Sequence, residues 1–310
     1  MHAAVVTTFD SPPRYLDHPD PVAREKDEAV VEVLAAALHP RVRSQADGSH
    51  YTSTDELPLV PGVDGVVRDP QGRLRYVVMD DTTLGTMAEH TVIDLQRSVV
   101  LPEGIDPVQI AAAMNPAMAS WVALRRRIDF GRKQRVLVLG ATGNAGQMAI
   151  QVAKRFGAAQ VIAAGRDSAR LADLRALGAD ETCTFEELAK AADVDVVIDF
   201  VWGEPTARAM AVMLPARSDR SAPLTWIEIG SVAGANAPIP SAALRSTRLQ
   251  IVGSGIGSVP GRDFVKELPK LAAAVTDGAF DITTRAVPLR DVERAWTSSL
   301  QSRDRIVFVP

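Results

Sequence analysis

An unbroken apolar run, Val136-Leu137-Val138-Leu139, leads into Gly140-Ala141-Thr142-Gly143-Asn144-Ala145-Gly146, and an amphipathic stretch follows. This order reads as a buried strand, a tight turn and the start of a helix. Glycine at such a turn lets backbone N–H groups approach a pyrophosphate, and the helix N-terminus adds partial positive charge. The spacing is G-x-x-G-x-x-G, not the commoner G-x-G-x-x-G, and glycines also make ordinary strand-to-helix turns. The alternation of strands and helices around it favours a dinucleotide site. Gly140, Ala141, Thr142, Gly143, Asn144 and Ala145 are therefore the candidate phosphate-binding residues.

The next strand, Gln160 to Ala164, ends in Gly165-Arg166-Asp167. An NAD site usually places a carboxylate at this end, where it binds the ribose hydroxyls. Here a guanidinium follows small residues. It suits a 2′-phosphate, which a carboxylate would repel. Gly165 and Arg166 thus predict NADP(H). Asp167 has two readings: turned inward it admits NAD, and beside the following helix it is a cap. Ligands sit outside the carboxyl ends of parallel strands. Later strand ends therefore add Phe200, Gly230, Ser231, Gly253 and Ser254 to the cofactor set. Trp202 either packs under the cofactor or is a buried structural residue. Asn115-Pro116 either breaks a helix or presents Asn115 to the nicotinamide carboxamide, and Ser120 lies in the same segment.

These residues need a scaffold. From Arg135 onward, strands at about 135–139, 160–164, 181–184, 195–200, 224–229 and 248–252 alternate with helices at about 144–156, 168–177, 185–192 and 204–214. In the first helix Ala145, Met148, Ala149, Val152, Ala153 and Phe156 form one apolar stripe. The expectation is an α/β fold with a doubly wound parallel sheet. Ahead of it, short strands within 3–9, 30–38, 75–79 and 88–93, and one after Gly65, predict a small β-barrel-like domain up to about residue 105. Residues 11–20 and 39–58 read as irregular. Asp106 to Arg127 reads as helical with a break at Asn115-Pro116. A helix at about 262–277, interrupted by Pro269, and a strand at 305–309 complete the chain.

Composition bounds the function. The chain has 310 residues, 46% hydrophobic and 23% charged, enough for two cores. A net charge of -4 with scattered arginines argues against nucleic acid and acidic membrane partners. No stretch approaches the ~20 continuous apolar residues of a membrane span, and no signal-peptide pattern opens the chain. A cytoplasmic protein is expected. The single cysteine, Cys183, excludes an internal disulfide framework and a multi-cysteine zinc site. The histidines, at 2, 18, 39, 50 and 90, lack H-x-x-x-H spacing. His39 and His50 have two readings, lining the substrate cleft or, as favoured here, solvent-facing or packing roles.

Four segments carry a family resemblance that covers nearly the whole chain. They are Leu59-Val60-Pro61-Gly62-Val63-Asp64-Gly65, Gly85-Thr86-Met87-Ala88-Glu89-His90, Leu101-Pro102-Glu103-Gly104, and Val136 to Gly146 with Gln151-Val152-Ala153-Lys154. In this order the chain resembles a medium-chain dehydrogenase/reductase of the zinc-independent quinone oxidoreductase branch. The resemblance implies a GroES-like β-barrel catalytic domain at 1–112, completed by about 262–310, and a Rossmann NADP-binding domain at 113–261. It also implies an active site in the cleft between domains, and a homodimer joined at the sheet edge near 248–252. Zinc-dependent relatives carry a cysteine ligand after the second core strand and a Gly-His-Glu further on. This chain has Leu38-His39-Pro40-Arg41 and Gly62-Val63-Asp64 there, so catalytic zinc is not expected.

The implied reaction is hydride transfer from NADPH to a quinone, enone or related carbonyl substrate. Negative charge delocalises in such acceptors, so the protein mainly orients the reactants and excludes water. Many relatives carry a tyrosine near an Ile-Arg-Ser segment. Here Arg41-Val42-Arg43-Ser44 puts an arginine in that place. Arg41, as a clamp, and Tyr51, as a phenolic donor, are the candidate catalytic residues, each against a plain surface role. The alternatives are a non-catalytic NADPH-binding redox sensor or partner protein, and a zinc alcohol dehydrogenase.

Overall fold

The computed structural model describes residues 1–299, 302 and 304–310. The chain divides into two compact units, Met1–Asn115 with Val265–Pro310, and Pro116–Phe264. Strands and helices are numbered along the chain.

The first unit contains β1 (His2–Val5), β2 (Arg14–Asp17), β3 (Glu28–Ala37), β4 (Asp64–Arg68), β5 (Leu74–Val78), β6 (His90–Asp94) and β7 (Ser98–Val100). The C-terminal return adds β14 (Thr284–Pro288) and β15 (Arg305–Val309). The main sheet has the order β14-β15-β3-β4-β5-β7, with β6 also on β3; β1 and β2 form a separate pair. β3 is long enough to change partners. Its first half pairs with β6, and Ala36 and Ala37 pair with β15. A register shift against β4 between Val33 and Ala35 bends it. Such irregularities curl a sheet around a core. The core includes Val31, Val33, Leu59, Val67, Met87, Ile306 and Phe308.

Three elements differ from the sequence reading here. Residues 40–46, expected to be irregular, form helix α1 (Pro40–Ala46). Pro40 occupies its first turn, where its fixed φ and missing N–H cost nothing. The buried face is only Val42, Gln45 and Ala46, too short to show a period. β2 likewise lies in a stretch read as loop. Helix α2 (Pro107–Val122) runs unbroken through Pro116, and a π-helical turn, Ala123–Arg127, follows it. Pro116 removes one backbone hydrogen bond. Packing outweighs that loss, because Ala111 to Met114, Ala117, Met118 and Trp121 are all buried. Asn115 therefore sits in a helix interior and not at a break.

The second unit is built on β8 (Arg135–Leu139), β9 (Gln160–Gly165), β10 (Glu181–Thr184), β11 (Val196–Asp199), β12 (Leu224–Glu228) and β13 (Leu249–Gly253). Their order is β10-β9-β8-β11-β12-β13, and every pairing is parallel. The principal helices are α3 (Asn144–Arg155), α4 (Ser168–Ala172) and α5 (Gly203–Ala216). The face α3 buries includes Met148, Ala149, Val152 and Ala153. Leu137, Leu139, Ile162, Val197, Met210 and Trp226 lie in the core of this unit. From β8 the chain steps outward to β9 and β10, then returns to β11 on the other side. The strand order reverses between β8 and β11, which makes their carboxyl ends the expected ligand crevice of this Rossmann sheet.

The third glycine of the opening run is steric. A Cβ on Gly146 would land on the Gly140 carbonyl oxygen and lie 2.6 Å from Ala141 Cα. Gly143 has φ -81°, and a Cβ there meets nothing nearer than the Gly140 oxygen at 3.6 Å. Gly146→Ala is expected to cost about 1–3 kcal/mol by overpacking. Gly143→Ala should leave stability within about 0.5 kcal/mol of wild type. Thermal denaturation of the two variants checks the contrast.

Candidate active site

The turn after β8 is drawn tight by its own backbone. Gly140, at φ 81°, and Ala141 both donate N–H to the Ala164 carbonyl, at 3.1 and 3.0 Å. The Gly143 N–H returns to the Gly140 carbonyl at 3.2 Å. Gly143 is the N-cap of α3, and no side chain caps that end. Orphan N–H groups of a helix first turn need an acceptor. Here Gly143 is exposed and has no side chain to supply one. Ala141 is buried, whereas Thr142, Asn144 and Ala145 are half-buried along the same rim. A pyrophosphate fits this cradle on charge and on space.

β9 ends beside it, since a Cβ on Gly165 would come 3.0 Å from Thr142 Cγ2. Arg166 is exposed and makes no hydrogen bond or ion pair among the described residues. Asp167 is committed elsewhere. Its Oδ1 accepts the N–H groups of Ala169 and Arg170, at 3.0 and 3.2 Å, and caps α4. The guanidinium is thus the uncommitted charge at this strand end.

Across the switch point, the end of β11 packs against the glycine turn. A Cβ on Gly140 would lie 3.1 Å from Val201 Cγ2 and 3.5 Å from Phe200 Cβ. Phe200 is buried there. Asp199, wholly buried, organises this end. Its Oδ1 accepts the Val201 and Trp202 N–H groups at 2.8 and 3.1 Å. Its Oδ2 accepts Thr206 Oγ1 at 2.6 Å and Trp226 Nε1 at 2.8 Å. Trp202 is half-buried, not a core residue, and has φ 52° and ψ -163°. That region is essentially glycine's own, and holding another residue in it costs about 1–3 kcal/mol.

The remaining strand ends close the row. Gly230 donates to the Asp199 carbonyl at 3.2 Å, and Ser231 beyond it is exposed. Ser254 is buried and donates its N–H to the Glu228 carbonyl at 2.8 Å. Arg127 spans the loop after β13, donating from Nε to the Gly253 carbonyl at 2.7 Å and from Nη1 to the Ser258 carbonyl at 3.0 Å. Two residues of the expected set lie in α2. Ser120 is wholly buried with its hydroxyl on its own helix, 3.3 Å from the Ala117 carbonyl. Asn115 is half-buried inside α2 and belongs to the first unit.

The first unit holds two polar clusters. In one, His39 and Asp64 are buried, contrary to a solvent-facing histidine. Burial lowers the His39 pKa despite Asp64, so the neutral ring donates to Asp64 Oδ1 at 3.0 Å. Tyr76 OH donates to Asp64 Oδ2 at 2.6 Å, and burial together with that carboxylate raises the phenol well above its usual range. Arg305, buried beside them and lowered to about 10 by desolvation, donates to the Leu38 carbonyl at 3.0 Å.

In the second cluster Arg41 bonds to Asp81 and to Thr52 Oγ1, the latter at 2.8 Å. Thr52 Oγ1 also reaches Asp81 and lies 2.9 Å from His50 Nδ1. Tyr51 stacks on His50 at 4.2 Å between ring centroids and is 71% exposed. Arg41 and Tyr51 thus share one small assembly, but the Arg41 charge is already compensated by Asp81. The sequence reading missed Asp64, Tyr76, Asp81, Asp199 and Arg305. Asp199 alone had a signal, as a carboxylate ending the apolar run Val196-Val197-Ile198.

Known proteins resemble this chain in sequence and fold. The family of zinc-binding dehydrogenases matches residues 145–276. A probable NADPH-dependent quinone reductase of Emericella nidulans is 28% identical over the full length of both chains. The chloroplastic NADPH-dependent alkenal/one oxidoreductase of Arabidopsis thaliana is 29% identical over 50% of this chain and 44% of its own. The quinone oxidoreductase of Thermus thermophilus, solved alone and with NADPH, superposes with a TM-score of 0.85 at 25% identity, covering all of both chains. These likenesses support a place in the medium-chain dehydrogenase/reductase superfamily, in its quinone oxidoreductase-like branch. The same likeness fits the pairing of a Rossmann unit with a GroES-like unit.

The Tyr51 assembly has a pH signature. Burial, then the neighbouring Arg41, lowers His50 to about 4, against an opposing pull from Asp81. A histidine whose folded pKa lies below its unfolded value contributes stability that is complete above about pH 6.5 and is lost as pH falls toward the folded pKa. His39 has the same sign, through burial. His50→Gln should therefore lose less stability than wild type between about pH 7 and about pH 5. Urea denaturation at the two pH values checks this. Equal losses in both proteins would show that His50 does not titrate as a buried group.

Proposed function

We propose that the protein is a zinc-independent, NADPH-dependent oxidoreductase that transfers hydride to a quinone, an enone or a related carbonyl compound. One observation carries the reading: an uncapped helix N-terminus at the sheet's switch point, with an uncommitted Arg166 at the next strand end. The uncapped turn suits the pyrophosphate and the guanidinium suits a 2′-phosphate. The names of the relatives, an NADPH-dependent quinone reductase and an alkenal/one oxidoreductase, supply the acceptor class. When bound, NADPH supplies the hydride. The chain's residues hold the dinucleotide along the carboxyl ends of β8, β9, β11, β12 and β13.

The zinc-free part of the reading is supported by the segments where zinc-dependent relatives place ligands. In this chain His39 and Asp64 are bonded to one another, and Tyr76 takes the second carboxylate oxygen. Tyr51 is the proposed phenolic donor. Arg41 acts through Thr52 to position the Tyr51 segment. The protein is further proposed to be a cytoplasmic homodimer joined through β13, an edge strand of its sheet, with no nucleic-acid or membrane partner. No helix among the described residues is long and apolar enough to cross a membrane.

Steady-state NADPH oxidation against a panel of quinones and enones tests the activity. Wild type should prefer NADPH to NADH by about 100-fold in kcat/KM, the worth of a charge-assisted pair. Arg166→Asp should erase the preference. Equal use of both cofactors by wild type would overturn the phosphate assignment. Tyr51→Phe should lower kcat with an enone by about 100-fold if the phenol donates the proton, with the KM for NADPH unchanged. An unchanged kcat would remove Tyr51 from the chemistry.

A further inference from the structure

Trp202 is held in a backbone conformation that is ordinarily glycine's. It stands at the carboxyl end of β11, three residues past Asp199, and its φ of 52° is followed by Gly203 at φ 68°. Lys133 is the other non-glycine residue at positive φ among the described residues. The turn is fixed from two sides. Asp199 Oδ1 takes the Trp202 N–H at 3.1 Å, and the Val201 carbonyl accepts the Ala233 N–H at 2.9 Å. A Cβ on Gly203 would lie 2.9 Å from the Ala233 carbonyl oxygen, so the loop after β12 presses on the same turn.

The other three tryptophans have ordinary burial: Trp121, Trp226 and Trp296 are 4%, 0% and 7% exposed. Trp202 is only half-buried, although a core indole would be the usual outcome for so large a side chain. Its position is specific. Gly140 packs directly on Phe200 and Val201, so Trp202 borders the switch point opposite the phosphate cradle. Arg166 marks the adenosine side, just past the end of β9. The other mononucleotide half of the ligand therefore lies on the β11–β12 side, where a planar aromatic ring meets an indole face.

We propose that Trp202 is a binding residue for the nicotinamide half of the cofactor, held in strained backbone geometry to present its indole to that ring. The inference rests on the NADPH reading above and adds a named contact to it. Strain at a binding turn persists where the surroundings over-determine it, and the Asp199 and Ala233 bonds do so here. Replacing the residue with glycine relieves the strain and removes the indole together.

The test uses the full chain with two probes, NADPH and 2′,5′-ADP, the second carrying only the adenosine half. Calorimetric titration of Trp202→Gly should show NADPH binding weakened about tenfold, with 2′,5′-ADP affinity unchanged. The melting temperature should match or exceed that of wild type, which separates this outcome from a damaged fold. Trp202→Phe should recover part of the NADPH affinity. If NADPH and 2′,5′-ADP affinities are both unchanged in Trp202→Gly, or both fall together, the assignment is wrong. If wild type binds neither probe, the NADPH reading fails and this inference falls with it.

Discussion

A carboxylate without solvent or a cation survives inside the second unit because four donors converge on it. Asp199 accepts two backbone N–H groups, the Thr206 hydroxyl and the Trp226 indole N–H. Charge-assisted bonds of this kind are about twice as strong as neutral ones. Leaving any donor unpaired would cost about 1–3 kcal/mol. The arrangement has a directional result. It turns the chain sharply at the end of β11, and places Phe200 and Val201 against Gly140. The phosphate cradle on one side of the switch point and the strained turn on the other are thereby held in one register. Small residues at the neighbouring strand ends follow from the same crowding, because Gly203 and Gly230 each admit backbone that a Cβ would meet.

Local patterns carried much of this into the sequence. The parallel sheet was legible because strands and amphipathic helices alternate, and β8, β10 and β15 fall at the bounds expected from the sequence. The glycine turn was legible because a strand, a turn and a helix follow one another without interruption. What was illegible depends on partners far away in the chain. Asp64 bonds to His39, 25 residues before it, and the Arg41 site needs Asp81, 40 residues on. No period or spacing encodes such pairs. The continuous α2 illustrates the opposite error. Proline propensity pointed to a break, but a helix buried on nearly every face tolerates one lost hydrogen bond. α1 fails for a third reason, since three buried residues over two turns carry no usable period.

The first unit shows why the chain must return to it after the Rossmann sheet is complete. β15 pairs with β3 on one side and with β14 on the other, so the sheet gains an edge only when residues after 265 come back. Hydrogen bonds along that edge are generic. The Arg305 side chain makes the return specific. It brings a buried guanidinium to the Leu38 carbonyl, into the field of Asp64 and Tyr76. Asp64 is the buried carboxylate of that cluster, and His39 beside it is held neutral by burial. A buried cation and a buried anion each cost several kcal/mol alone, and their mutual attraction offsets this only when hydrogen bonds satisfy the remaining atoms. Here the Tyr76 phenol and the His39 ring bond to Asp64, whereas the buried Arg305 Nε has no hydrogen-bond partner among the described residues. Arg305 feels the Asp64 carboxylate through space, while its own hydrogen bond goes to the Leu38 carbonyl. The strand at the end of the chain thus brings a buried guanidinium into the field of a carboxylate laid down near its beginning, and that carboxylate also bonds to His39 at the entrance of α1, the helix that carries Arg41.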